Sequence, residues 1–181
     1  LPMALIHEAI GEIVWDPKGE FEAGERVVMI PNTPMEEDSV IAENYLRTSK
    51  FRASGFDGFM QDVVNMRRDR IVRVPRNINP FVAAFTELVS VSVLAIDRFD
   101  KIAHERRKTV GIWGDGNLGY ITAIFFKAMF PEVKLCIFGL DENKLSDFTF
   151  ADDTFSITSI PDDLSIDHAF ECVGGEGSPK A

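Results

Sequence analysis

The sequence predicts an α/β fold class preceded by a β-rich module, and two observations carry that expectation. The apolar, β-branched run Thr109-Val110-Gly111-Ile112-Trp113 enters the turn Gly114-Asp115-Gly116-Asn117-Leu118-Gly119, and a helix-patterned segment from Tyr120 to Phe130 leaves it. Strand, glycine-rich turn and helix in that order open a βαβ unit with a parallel sheet. The hydrophobic period also changes along the chain. Before about residue 77 the apolar runs partly alternate and are broken by turn residues, whereas after Thr109 strand and helix patterns succeed each other.

In the first module, Ala4 to Trp15, Glu25 to Ile30, Gly58 to Met66 and Arg70 to Val74 read as strands. Pro17-Lys18-Gly19 and Pro31-Asn32-Thr33-Pro34 are turns. Met35 to Ser54 is polar and mixed in sign, an irregular excursion with a short helix over Ile41 to Leu46. Asn79-Pro80 starts a helix, because asparagine is a good N-cap and proline is tolerated at the first helical position. Phe81 to Phe99 is apolar almost all round, which predicts a buried helix, and the charged stretch Asp100 to Lys108 leads to the next strand. Beyond the glycine turn come a second strand at Val133 to Phe138 and a short helix around Asp141 to Phe148. A third strand follows at Thr154 to Ile157, and a fourth at Ile166 to Val173, closed by Gly174-Gly175.

The spacing G-x-G-x-x-G between a strand and a helix is the fingerprint of a Rossmann dinucleotide site. Gly114 permits the tight turn, Gly116 leaves room for a pyrophosphate, and Gly119 allows the helix to pack on the strand. The amides of Asn117 and Leu118, at the positive end of the helix, are donors to the phosphates. Asp115 lies within the same turn, and Val173 ends the fourth strand at the same site. About 20 residues after the glycines, an acid would bind the ribose 2′-hydroxyl of NAD. That position is Gly139, so the repulsion against a 2′-phosphate is missing and NADP is favoured, with Lys144 the nearest cation. Asp141 could serve as an offset acid, which keeps NAD as the alternative.

The formal net charge of −10 and the lack of a basic stripe speak against nucleic acid and anionic membranes as partners. At 45% hydrophobic residues the 181-residue chain can bury a core. No apolar run approaches the roughly 20 residues that span a bilayer. The two cysteines, Cys136 and Cys172, sit in apolar runs without a C-x-x-C pattern, so they read as packing residues in a reducing, cytoplasmic compartment.

Several segments resemble the medium-chain dehydrogenase/reductase superfamily of zinc alcohol and polyol dehydrogenases. Leu5-Ile6-His7-Glu8-Ala9-Ile10-Gly11-Glu12-Ile13-Val14 is similar to that family's G-H-E-x-x-G-x-V strand, with Ile6 where glycine is usual. Gly58-Phe59-Met60-Gln61-Asp62-Val63-Val64, Thr86-Glu87-Leu88-Val89-Ser90-Val91 and Phe170-Glu171-Cys172-Val173-Gly174 match further family segments. Within the superfamily, Pro31-Asn32-Thr33-Pro34 and Ser54-Gly55-Phe56-Asp57-Gly58-Phe59-Met60-Gln61 resemble the ribulose-5-phosphate reductases, which make ribitol phosphate for teichoic acid and capsule synthesis.

The resemblance implies a GroES-like catalytic domain over residues 1–78 and a Rossmann domain over 79–181, each incomplete. The family's upstream zinc cysteine, its proton-relay hydroxyl and the later nucleotide-domain strands have no counterpart here, so the chain is expected to be an inactive piece of a longer polypeptide. The resemblance further implies a catalytic zinc in the intact protein, with His7, Glu8 and Glu87 as metal-site and catalytic residues; two or three ligands of a broken site bind weakly, so this stretch alone is not expected to retain it. Read alone, one His-Glu pair is ordinarily a surface or core pair, and Glu87 could simply be solvated in a crevice. Met35 to Arg52 lacks cysteine, so no structural zinc is expected. Asn32 suits a polyol or sugar phosphate substrate, and Arg52, with Arg47 and Lys50, could meet its phosphate or belong to a solvated loop. The implied activity is NADP-dependent reduction of ribulose 5-phosphate to ribitol 5-phosphate by a homodimer, with a cytidylyltransferase as pathway partner. The alternatives are another zinc-type or zinc-free alcohol or quinone reductase, and a nucleotide-binding module without catalysis.

Overall fold

The computed structural model describes residues 2–174, in two compact units that divide between Glu87 and Leu88. Gly175, expected to help close the last strand, lies outside the described residues.

The first unit holds two small sheets. Strands β1 (Ile10–Glu12), β2 (Arg26–Met29) and β6 (Ile71–Arg73) form an antiparallel sheet in the order β1-β2-β6. Val27 and Met29 alternate with less buried neighbours on β2, as a strand with one covered face requires. The second sheet joins β3 (Asn32–Thr33), β4 (Lys50–Arg52) and β5 (Gly55–Phe56). This sheet was not expected, because its strands are two or three residues long and carry no period. The excursion between β3 and β4 contains one 3-10 turn, Glu43–Tyr45, in place of the expected helix. Arg70, buried beneath it, is held by both carboxylate oxygens of Glu43 at 2.6 and 3.2 Å.

Two strand expectations fail here for one reason. Residues 4–9 and 58–66 are not ladder strands. Instead the amides of Gly58, Phe59 and Met60 donate to the carbonyls of Ala4, Ile6 and Leu5, at 2.7, 2.7 and 3.1 Å. The chain crosses itself there rather than running alongside, and Ile6 turns through a φ of +68° to do so.

The expected helix from Asn79 is two helices. Asn79 caps α1 (Pro80–Ala83) by accepting from the Phe81 amide at 2.8 Å, and α2 (Thr86–Ile102) follows after a break. Nor is it buried all round. Ser92, Ile96 and Phe99 form its buried stripe, while Phe81 and Ile102 are 82% and 83% exposed. The spacing of four and three residues places one face against the sheet of the second unit, and a single covered face cannot bury the rest.

In the second unit, β7 (Thr109–Trp113), β8 (Lys134–Gly139), β9 (Asp153–Ser156) and β10 (His168–Glu171) pair in parallel in the order β10-β7-β8-β9. Helices α3 (Asn117–Met129) and α4 (Glu142–Ser146) provide the crossovers. Five of the six residues of β8 are buried, as a central parallel strand demands. Ile96, Phe99, Val110, Ile112, Phe126, Leu135 and Ile137 make the core. Cys136 is buried on β8, whereas Cys172 falls just past the end of β10 and not within it. Helix α3 begins a turn earlier than Tyr120, at Asn117, so the glycine turn feeds directly into it. Among the described residues no helix is long and apolar enough to cross a membrane.

Candidate active site

The first unit gathers three side chains that could hold a metal ion. The crossing of residues 4–6 over Gly58–Met60 fixes the backbone just before His7. It is closed by the Asp57 carboxylate, which accepts from the Ala4 amide at 2.9 Å. Gly58 is needed there, because a Cβ would fall 2.2 Å from the Leu5 carbonyl oxygen. The His7 ring then lies 5.3 Å from that of Phe51 on β4. Its Nε2 stands 3.8 Å from Oε1 of Glu8 and 4.0 Å from Oε2 of Glu87. One ligand atom from each of the three residues lies within 4.8 Å of the others. Their side chains are 42%, 33% and 16% exposed, and a concavity of about 330 Å³ lined by Ile6, His7, Glu8, Ala84 and Phe85 opens beside them.

The charges explain the arrangement. Burial pushes the Glu87 carboxyl above its ordinary range; the nearby His7 lowers it and Glu8 raises it again. Two carboxylates converging on one imidazole repel each other until a cation joins them. One imidazole and two carboxylates are a donor set that zinc accepts, with donors about 2.0–2.2 Å from the ion and therefore roughly 3.5 Å apart. At 3.8 and 4.0 Å from Nε2, and all within 4.8 Å of one another, the three ligand atoms reach that spacing once their side chains draw together. The donor set therefore fits the metal.

Asn32 is the register partner of Phe51, so it stands one strand away from the ring against His7. Its Nδ2 is buried without a hydrogen-bond partner. Arg52 is engaged with the protein: its guanidinium donates to the carbonyls of Asp57 and Asn65, both at 3.1 Å, and lies 5.7 Å from the Phe59 ring. A substrate phosphate would compete with these contacts. Lys50 stands over the Phe56 ring at 4.7 Å. A wider concavity of about 580 Å³ lies over the excursion after β3, but Glu36, Glu37, Asp38 and Glu43 line it and its Arg70 is paired with Glu43, so it does not suit an anion.

The second unit builds the nucleotide turn. Strand β7 pairs with β8 on one side and β10 on the other, so the chain reverses its direction of sheet growth at β7, and ligands of open α/β sheets bind at that point. Each glycine of the turn answers a different demand. Gly114 has φ +127°, and a Cβ there would meet the Cys172 backbone at 3.0 Å. At Gly119 a Cβ would lie 2.0 Å from the Gly114 carbonyl oxygen. At Gly116, the N-cap of α3, a Cβ would meet nothing within 4 Å. Packing therefore explains the first and third glycines, while the bare backbone at Gly116 faces open space where an outside group can approach. The first-turn amides of α3, including Asn117 and Leu118, have no partner four residues back.

Asp115 turns away from that space. Its Oδ2 accepts from the amides of Leu140 and Asp141, both at 2.8 Å, just beyond Gly139 at the end of β8. Asp141 in turn caps α4 by accepting from the Asn143 amide at 2.9 Å and the Lys144 amide at 3.4 Å. Val173 lies just beyond β10, its amide donating to the Glu171 carboxylate at 2.6 Å. Sequence reasoning missed Phe51 and the crossing at Gly58. The signal for the second was the glycine-rich run Gly55-Phe56-Asp57-Gly58.

Comparison with known proteins finds relatives that match along the whole chain. Over all 181 residues the chain is 57% identical to a ribulose-5-phosphate reductase of Bacillus spizizenii, of which it covers 53%. Along its whole length the chain is similar to ribulose-5-phosphate reductases. It spans about half the length of the curated relatives it matches. It also superposes on the crystal structure of S. aureus TarJ in complex with NADPH, with a TM-score of 0.78 and 49% identity, over 97% of this chain and 49% of that one. Galactitol-1-phosphate dehydrogenase from Escherichia coli matches with a TM-score of 0.75 over 88% of this chain and 47% of its own, at 20% identity, and so speaks to the fold alone. No family model matches the chain.

Proposed function

We propose that the chain carries the metal corner and the pyrophosphate turn of an NADPH-dependent reductase acting on a pentulose phosphate, with ribulose 5-phosphate reduced to ribitol 5-phosphate. Residues 1–78 would be its catalytic module and 79–181 its nucleotide module. The observation that carries this reading is the convergence of the neighbouring pair His7 and Glu8 with Glu87, from a segment distant in sequence. A chance surface pair would not recruit a largely buried third carboxylate from the start of α2. The ribulose-5-phosphate reductase relatives and the NADPH held by TarJ point to the cofactor and the substrate class.

His7, Glu8 and Glu87 would hold zinc, which when bound supplies a Lewis acid at the substrate oxygen. The chain's own groups do the rest. His7 offers Nε2, its ring lying 5.3 Å from that of Phe51. The buried Asn32 Nδ2 offers a donor to a substrate hydroxyl, since an unpaired buried amide hydrogen is costly until something accepts it. Gly116 and the α3 amides receive the pyrophosphate, and Lys144 supplies the cation for a 2′-phosphate. Hydride transfer itself belongs to the nicotinamide.

The test uses the intact gene product. NADPH oxidation is followed with ribulose 5-phosphate, and bound zinc is measured in parallel for the parent and for Glu87→Ala. The reading expects substrate-dependent oxidation, zinc near one equivalent, and loss of both in the variant. A metal-free parent that still turns over, or one that ignores the sugar phosphate, overturns it.

A further inference from the structure

At the end of β8 the Asp115 carboxylate fills the place that a side chain at position 139 would take. An ideal Cβ on Gly139 would stand 2.7 Å from both Cβ and Oδ2 of Asp115 and 2.9 Å from its Cγ. The same Oδ2 takes the amides of Leu140 and Asp141, the two N–H groups that follow. We propose that Asp115 is a positioning residue that sets cofactor choice, by barring any side chain from position 139 and fixing the loop that carries Lys144. The statement rests on the nucleotide-site reading above for its cofactor half, and on geometry alone for its steric half.

The logic follows from where an NAD-selecting acid must sit. Such an acid stands at the end of the second strand of the nucleotide sheet, about 20 residues past the glycines. Here that residue is Gly139 and the corner is already occupied by a carboxylate from the first strand's turn. Asp115 is anchored rather than free to yield. Burial works against its charge, but the Asp141 and Leu140 amides and the charge of Lys144 outweigh it and hold the carboxyl below its ordinary range. Its grip on the Asp141 amide passes to Lys144, because Asp141 caps the turn on which Lys144 rides. A change of cofactor therefore needs two substitutions. Gly139→Asp alone sets two side chains in one space, and only removing the Asp115 side chain makes room.

Two measurements on the intact gene product test this. In the first, melting temperatures are taken for Gly139→Ala, Asp115→Gly and the double variant. Gly139→Ala alone lowers the melting temperature by about 5 °C, the shift that overpacking of this kind brings in a chain of this size. In the Asp115→Gly background the same substitution lowers it by less than half as much. Equal losses in the two backgrounds, or no loss in either, overturn the steric lock whether or not the protein binds a nucleotide.

In the second, dissociation constants for NADPH and NADH are measured by fluorescence titration. Gly139→Asp alone gains no NADH affinity, whereas Asp115→Gly/Gly139→Asp moves the NADPH-to-NADH preference at least tenfold toward NADH relative to Asp115→Gly. A tenfold gain from Gly139→Asp by itself, or none from the double variant, overturns the specificity role. A parent that binds neither nucleotide overturns the functional reading and the specificity role with it, and leaves the melting cycle to decide the lock.

Discussion

Gly119→Ala and Gly116→Ala add the same methyl group three residues apart and should fail in opposite ways. At Gly119 the new Cβ would stand 2.0 Å from a backbone oxygen, that of Gly114. An ordinary carbon–oxygen contact needs about 3.4 Å, so the start of α3 must move away from β7 by roughly 1.4 Å. Neither partner is a flexible side chain, and Gly114 is itself held by the hydrogen bond its amide donates to the Phe138 carbonyl at 2.8 Å. Overpacking costs typically about 1–3 kcal/mol, and a fixed backbone atom places this case at the upper end, about 3 kcal/mol. That corresponds to a fall in melting temperature of about 6–12 °C. At Gly116 the methyl enters open space from an extended φ of −88°, so stability should stay within about 1 kcal/mol. Calorimetry gives the melting temperatures and fluorescence titration gives NADPH affinity. Gly116→Ala should fold normally and bind NADPH at least tenfold more weakly, because its methyl occupies the approach to the phosphates. An unshifted melting temperature for Gly119→Ala refutes the packing argument, and unchanged affinity in Gly116→Ala refutes the phosphate site.

Three further outcomes can be checked. Ile6 holds φ +68°, a region that costs a β-branched residue about 1–3 kcal/mol, so Ile6→Gly should raise the unfolding free energy read from urea denaturation by about 1 kcal/mol after the entropic cost of glycine. The buried hydroxyls of Ser92 and Thr122 bond each other at 2.9 Å, so Thr122→Val should cost about 1–3 kcal/mol, and adding Ser92→Ala should recover part of it. Asp152 accepts from the Leu135 amide at 2.7 Å and from Lys127 at 2.8 Å. Burial raises its carboxyl, but the Lys127 and Leu135 bonds win and hold it below the ordinary 3.8. Its contribution is therefore present above pH 3.8 and lost as the pH falls through the lowered value. Urea midpoints measured from pH 6 down to pH 2 should fall less steeply in Asp152→Asn than in the parent.

The second unit was largely legible because its information is local. Strand, turn and helix of the candidate nucleotide site lie within residues 109–129, and Gly119 is dictated by its approach to Gly114 inside that stretch, although Gly114 itself is confined by Cys172 from the end of the unit. The apolar runs of β7 and β8 say directly that both faces are covered. The first unit was harder to read. Residues 4–9 and 58–66 look like strands by composition, yet they cross each other, and an apolar run carries no record of whether its partner lies alongside or across. The helix after Asn79 was misjudged as buried because hydrophobicity states what a face could bury and not what lies against it.

The sequence by itself determined the parallel sheet and the glycine turn and named His7, Glu8 and Glu87 as candidate metal ligands, since each depends on residue types at fixed short spacings or on close likeness to a family. Only the tertiary structure decided that His7, Glu8 and Glu87 share one point, that the Arg52 guanidinium is committed to backbone carbonyls, and that Asp115 stands in the corner left by Gly139. Most of those facts are distances between segments separated along the chain. They are set by how backbones cross and pack, which no local pattern of side chains encodes.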